Sequence, residues 1–306
     1  MSPVQETAAT PSKVSASRVT ASLAGLSRRV VVFLGIAVAF ALLWEGYKLL
    51  GEATGGFIPF TDTRLPVAPH DKAMPHIWAI LSSLFEPAQR GSSRTLVSLL
   101  LEAAVFTFRE ATVGFLIGSV IGFFLGVTFV LYAPMERGLM PYVIGSQTVP
   151  LLAIAPMVVI WGGRLGLPSW MAVSLISAYL TFFPVTINTV RGLRSPESTA
   201  SELMRSYAAS RREFLWKLQV PAALPYVFTA LKVAGSAAVV GAIIGELPAS
   251  LSVGLGRSLL SSSYFFGTAP ERLFAAILIS ALLGITTVAM VALVERWVIP
   301  PARRVS

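Results

Sequence analysis

Residues 195–225, SPESTASELMRSYAASRREFLWKLQVPAALP, decide how this chain is read. They make a long polar and basic stretch between two apolar runs, and a membrane chain rarely keeps such a loop without a partner outside the bilayer. Ser195, Pro196 and Glu197 spell a helix start: a hydroxyl cap, a proline where the missing N–H is harmless, and an acid at the positive end of the helix dipole. One helix is predicted from there to about Ala208. Ser210 and Glu213 match the reciprocal capping box, so a second helix is predicted to begin at once and to continue toward Gln219. Pro221 and Pro225 are expected to end that helix and open the next apolar run. Leu203, Met204, Tyr207, Phe214 and Trp216 are too apolar for a freely solvated loop.

The composition around this hairpin is that of an integral membrane protein. Of 306 residues, 55% are hydrophobic and 13% charged, too apolar for one soluble core of that length. The net charge of +9 does not call for nucleic acid, because Lys and Arg collect in the cytoplasmic loops of membrane chains and give the same sign. There is no cysteine, which excludes disulfides, thiol catalysis and thiolate metal sites. His70 and His76 straddle Pro75 and lack the further ligands usual for zinc, so they are read as solvated loop residues and no metal is expected.

A bilayer-spanning helix needs about 20 apolar residues. Six runs qualify: Val30 to Leu50, Phe106 to Tyr132, Tyr142 to Trp161, Pro168 to Val190, Leu224 to Leu247 and Leu273 to Val294. Pro150 and Pro156 should bend or break the third. The expected organisation is a disordered tail (1–29), a first span (30–50), an external segment (51–105), a core (106–298) that includes the hairpin 195–221, and a short tail (299–306). Small residues at Ala37, Ala39 and Ala41 behind Arg28 and Arg29 also suit a signal peptide, but the apolar run continues to Leu50, which favours a retained span. An organellar transit peptide is the less favoured reading of the acid-poor leader. With six spans, fourteen Lys and Arg fall on the side of the tail and eight on the other. Both termini and the hairpin are therefore predicted to be cytoplasmic. Between the first two spans, Ile77, Ile80, Leu81, Leu84 and Phe85 recur at helical spacing in Pro75 to Pro87. That pattern is either an amphipathic helix on the outer membrane surface or a helix capping the bundle.

Gly114, Gly118, Gly122 and Gly126 recur every fourth residue and give one helix a smooth strip for close helix packing. Gly241 and Gly245, with Ala234, Ala237 and Ala238, make the fifth span similarly small-faced. Ionisable residues in apolar runs are the first functional suspects. Lys232 lies near the cytoplasmic end of its span, where its stem can snorkel to water, and this reading is preferred to a substrate role. Glu246 at the outer end, and Arg109 with Glu110, are read as interface residues. No paired buried carboxylates are expected, hence no proton relay. Gln147, Thr148, Tyr179 and Asn188 are polar positions in or near central spans and are the candidates for a solute pathway.

The hairpin resembles the signature loop of bacterial ABC importer permeases, which runs Glu-Ala-Ala, three residues, Gly, nine residues, then Ile-x-Leu-Pro. Glu202 takes the glutamate place, Leu203 and Met204 replace the alanines, Ala208 takes the glycine place, and Leu218, Val220 and Pro221 close the pattern at the family spacing. An alanine forced into left-handed geometry at the glycine place costs about 1 kcal/mol or more. The similarity runs from about Leu65 to Val298 and is closest in style to nitrate, sulfonate and taurine permeases, while Glu246 to Ala275 is also similar to permeases for vitamin or pyrimidine precursors. The resemblance implies an all-α bundle of about six transmembrane helices of the type I importer kind. It also implies a multi-pass protein of the bacterial inner membrane that pairs with a second permease copy, separate ABC ATPase subunits and a solute-binding protein, amid membrane lipid.

In that family frame, Leu203, Met204, Tyr207 and Ala208 are the expected docking face for the ATPase. Arg205, Arg211 and Arg212 supply rim charge, and Glu202 braces the loop internally. No Walker-type glycine loop followed by Lys and Ser or Thr occurs, so ATP and Mg²⁺ are expected on the partner ATPase and no cofactor on this chain. Gly254 and Gly256 lack the third glycine of a dinucleotide fingerprint. An enzyme would need clustered His, Asp or Glu among the spans, which is not seen. The remaining alternative is a secondary transporter or channel that works without an ATPase.

Overall fold

In a computed structural model of the chain, residues 13–58, 63–88, 91, 93–249 and 251–299 are described. The chain divides into two compact units, Met1–Trp78 and Ala79–Ser306.

The first unit holds α1 (Lys13–Ala53) and the segment that follows it. The helix begins well before the expected span start at Val30, inside the stretch expected to be an unstructured tail; residues 1–12 lie outside the described residues. The C-terminal end of α1 is strapped by its own connecting segment. Trp44 Nε1 donates to Pro75 O at 3.1 Å, Tyr47 Oη donates to Val67 O at 3.1 Å, and Glu45 accepts from the Ile77 N–H at 2.7 Å. Gly51 admits the Pro69 ring, whose Cγ would lie 2.8 Å from an added Cβ.

The short helix α2 (Ile77–Ser83) is less than the expected Pro75 to Pro87 run, because Phe85 and Glu86 turn back onto Ser82 and Ser83 carbonyls. Leu84 is buried against Leu96, Leu100 and Leu255, so the end of this segment plugs one end of the bundle, in line with the capping reading.

The second unit is a helical bundle: α3 (Leu96–Leu131), α4 (Ala133–Ser146), α5 (Leu151–Arg164), α6 (Ser169–Leu193), α7 (Ser198–Ser206), α8 (Arg211–Glu213), α9 (Val220–Glu246), α10 (Leu255–Tyr264) and α11 (Pro270–Val298). A π-helical turn, Phe214–Gln219, joins α8 to α9. Among the described residues, five helices are long and apolar enough to cross a membrane, or six if α4 and α5 count as one bent span. That pair corresponds to the expected third span. It bends by 101°, and Pro150 caps α5 at the break while Pro156 sits within α5.

Packing is organised around α3, α6 and α9. The glycine strip of α3 lies directly on the α6 backbone. An added Cβ would stand 2.5 Å from Ala178 O at Gly118, 2.5 Å from Phe182 O at Gly122 and 2.7 Å from Thr189 Cβ at Gly126, while Gly114 meets Ser174 and Ser177. The contacts advance in the same direction along both chains, so α3 and α6 run parallel. That direction requires the intervening α4–α5 pair to carry the chain back across. Helix α9 runs antiparallel to α6: Gly241 rests on Ser177 and Gly245 on Val173, and Ser177 Oγ donates to Ala238 O at 2.8 Å.

Candidate functional site

At one end of the bundle the hairpin 195–221 forms, with differences from expectation. The first helix is capped by Glu197, not Ser195, whose hydroxyl turns back to donate to Gly192 O at 2.7 Å. It ends at Ser206, and Ala208 makes the turn with φ 51°, alone among described non-glycine residues in the left-handed region. The glycine place of the resemblance thus keeps glycine geometry with an alanine in it. The capping box is complete: Glu213 N–H donates to Ser210 Oγ at 3.3 Å, and Ser210 N–H donates to Glu213 Oε2 at 3.1 Å.

Pro221 and Pro225 do not end the second helix, which continues from Arg211 to Glu246. A proline ring collides with the carbonyl four residues back in a regular α-helix. Here the π turn widens the backbone just before Pro221, and Val220 N–H donates to Leu215 O five residues back. Gln219 Nε2 ties this turn to Leu193 O, the end of α6, at 3.0 Å.

Leu203 and Tyr207 are 55% and 77% exposed, and Trp216 is also exposed, while Met204 is half-buried. Arg205, Arg211 and Arg212 are exposed around them, as is Glu202, which makes it a rim group here and not an internal brace. The result is an apolar projection with a charged margin, mounted on a helix continuous with the bundle. Nearby, Arg194 and Glu136 pair at 2.5 Å and fix the start of α4 to the end of α6.

The four pathway candidates are divided. Tyr179 Oη donates to Ser146 O at the α4–α5 break, beside exposed Gln147 and Thr148. Asn188 lies further along α6, with Nδ2 donating to Pro184 O at 2.8 Å.

Two expectations about charge change. Lys232 is not a lone snorkelling amine but pairs with Glu295 of α11. Glu110 and Glu246, read from sequence as interface residues, are both buried and lie beside one another. Paired buried carboxylates therefore exist; they stand 136 positions apart in the sequence, and only the packing of α3 on α9 joins them.

His76 is likewise not a free loop residue: its Nδ1 lies 2.8 Å from Glu45 Oε2 and its ring stacks on Trp78. It also gathers with Glu52 and Asp71, but the buried Lys48 ammonium already sits on both carboxylates. That amine holds the Asp71 carboxyl below its ordinary value of 3.8.

Residues 118–300 match the family described as binding-protein-dependent transport system inner membrane component. The chain belongs to this family. Over 206 residues it is 34% identical to the formylaminopyrimidine transport permease protein ThiX of Halalkalibacterium halodurans, covering 66% of this chain and 80% of that one. It is 30% identical to the putative aliphatic sulfonates transport permease protein SsuC of Bacillus subtilis, covering 66% and 72%. A crystal structure of an amino acid ABC transporter shares the fold with a TM-score of 0.54 at 16% identity, over 66% of this chain and 95% of that one. The protein is thus a multi-pass inner-membrane permease component of an ABC importer, with the type I permease fold. In this permease the hairpin occupies residues 195–221, and the family match covers the hairpin, α6 to α11 and the last three of the four glycines in the α3 strip.

Proposed function

We propose that this permease is driven by separate ATPase subunits that grip the hairpin from the cytoplasm, and that it forms a dimer with a second permease copy. The observation that carries this reading is the exposed apolar pair Leu203 and Tyr207 beside the Ala208 turn, on a hairpin whose second helix runs unbroken into α9. Apolar side chains this exposed favour a protein partner, and a continuous helix transmits a displacement of the hairpin along its axis. Nucleotide-driven closure of two ATPases would move the paired hairpins and reorient α9 against α6. Such coupling requires two global states that the partner biases differently. ATP and Mg²⁺ belong to the ATPase, and a solute-binding protein delivers solute on the other side. Both termini lie in the cytoplasm, and lipid covers the outward faces of the spans.

The solute is a small organic or anionic molecule: a formylaminopyrimidine-like vitamin or pyrimidine precursor, given the name of the ThiX relative, a sulfonate or taurine, given that of SsuC, or a nitrate-like anion, given that of a nitrate import permease relative. Gln147, Thr148 and Tyr179, gathered at the α4–α5 break, and Asn188 along α6 line its path. A broken helix pair is tolerated within a membrane where protein or a water-lined cavity satisfies the freed backbone.

The deciding experiment is co-purification of the ATPase with Tyr207→Glu and Leu203→Glu chains. Loss of the ATPase from a folded permease is expected; full ATPase binding and uptake would remove the hairpin from the mechanism. Because the chain has no cysteine, single cysteines at Thr148 and Asn188 can be labelled with and without solute. Protection by solute is expected at both.

A further inference from the structure

Helix α9 ends at Glu246, remote from the hairpin, and its carboxylate is enclosed by donors. Oε1 accepts from Thr107 Oγ1 at 2.5 Å and Oε2 accepts from Gly256 N–H at 2.5 Å, with the Arg257 N–H also bonded to the carboxylate. Those amides open α10, so the carboxylate sits at the positive end of that helix and closes it. Gly254 and Gly256 leave room for this: an added Cβ at Gly254 would lie 2.5 Å from Glu246 Oε2, and one at Gly256 would lie 2.9 Å from Glu246 Cβ. Thr107 Oγ1 also accepts from Leu255 N–H at 2.9 Å, joining α3 to the same turn.

Glu110 stands beside Glu246 one turn along α3 from Thr107. It is fully buried, and neither of its carboxyl oxygens meets a donor. Among the described residues no cation forms an ion pair with it, and the Arg109 charge acts on it only from beyond ion-pair range. Arg109 is exposed and lies over the Trp170 ring at 4.3 Å, and the Arg257 side chain is exposed on α10. Arg272 of α11 is engaged with the Ala88 and Pro87 carbonyls. Helix α6 presents the hydroxyls of Ser174 and Ser177, which donate to Trp170 O and Ala238 O. A second carboxylate, without donors of its own and in contact with Glu246 in a dry interior, suffers both desolvation and mutual repulsion, and one hydrogen ion between the two relieves both. A metal ion fits less well, since the α10 amides point their positive ends at Glu246.

We propose that Glu110 and Glu246 hold a single proton between them, Glu110 as the acid and Glu246 as its acceptor, and that this proton fastens the α9–α10 turn to α3. The fastening stands at the end of α9 opposite the hairpin, where a displacement of that helix would have to break it.

The test uses the full chain in nanodiscs at neutral pH. Infrared spectra should show a protonated-carboxyl C=O band, shifted in D₂O, that is lost in Glu110→Gln and kept in Glu102→Gln, an exposed control paired with Arg94. The melting midpoint of the unmodified chain should fall as the pH is raised into the alkaline range, and this slope should be flattened in Glu110→Gln, whose amide can still donate to Glu246. Identical spectra for the unmodified chain and Glu110→Gln would overturn the proposal. So would stabilisation by Na⁺ or Ca²⁺ that Glu110→Gln abolishes, which would make the occupant a metal ion. Should Glu110→Gln fail to fold, hydrogen exchange at the Gly256 amide of the unmodified chain decides. Protection lost on alkalinisation is expected, and protection that persists until global unfolding refutes the shared proton.

Discussion

Lys232 of α9 and Glu295 of α11 form an ion pair, with Nζ 3.0 Å from Oε2 and 3.2 Å from Oε1. Both side chains are largely enclosed, and Gly235, one turn away, lies against Thr287 and Val291. The charge pair and the small-residue contact together lock the antiparallel α9–α11 packing.

Removing one partner strands the other charge. Lys232→Met and Glu295→Gln should each destabilise the protein by about 1–3 kcal/mol, between the cost of an exposed and of a fully buried pair. The double variant should recover much of that loss. Thermal unfolding of the three variants gives the coupling energy, and additive losses would mean that the pair contributes nothing.

Ala208 holds φ 51° without the freedom of glycine. Ala208→Gly should relieve strain and stabilise the hairpin by up to about 1 kcal/mol, less what the unfolded chain gains in entropy. Ala208→Val should destabilise it. Slower hydrogen exchange at the Ala209 amide, which donates to Met204 O at 3.1 Å, would register the gain in Ala208→Gly.

The α3 strip has no tolerance for side chains. Gly118→Val must push against the Ala178 carbonyl and Thr181 Cβ, and backbone cannot yield as a side-chain tip can. A loss of about 3 kcal/mol or failure to accumulate in the membrane is expected. Gly138→Ala serves as the control, since nothing lies within 4 Å of its added Cβ; it should match or exceed the parent in melting temperature.

Ser210→Ala removes one half of the capping box and should cost about 1 kcal/mol of local stability. Faster exchange at the Glu213 amide, with the α9 interior unaffected, would locate the loss in the hairpin.

Asp71 should respond to acid. Its bond to Lys48 depresses the carboxyl below 3.8, so the charge and the strap it supports persist through neutral pH and are lost only as pH falls through that depressed value. The Ala73 and Met74 amides, both donating to His70 O at 3.0 Å, should stay protected down to that point. In Asp71→Asn they should be less protected already at neutral pH. Equal protection in the variant would show that the ion pair adds nothing to the strap.

Local chemistry made much of this protein legible. The Ser210–Glu213 box could be read because both partners lie within one turn, and the four glycines of α3 because helical period alone puts them on one face. The apolar runs were recognisable by length, and the break near Pro150 by the missing N–H. What proline would do at 221 was not legible. Whether the chain stops or widens there depends on the tie from Gln219 to Leu193, residues 26 positions apart. The same holds for His76, whose partner Glu45 comes from the preceding helix.

By itself the sequence determined that the chain is a set of apolar helices with one basic, capped hairpin, since burial length, capping and glycine period are properties of neighbouring residues. Only the tertiary structure decided which charges meet. Lys232 found Glu295, and Glu110 came to rest beside Glu246, because those pairings follow from the order and direction in which the helices pack, while Lys48 found Asp71 because the connecting segment folds back onto α1; in each case the partner lies far outside the reach of one helical turn.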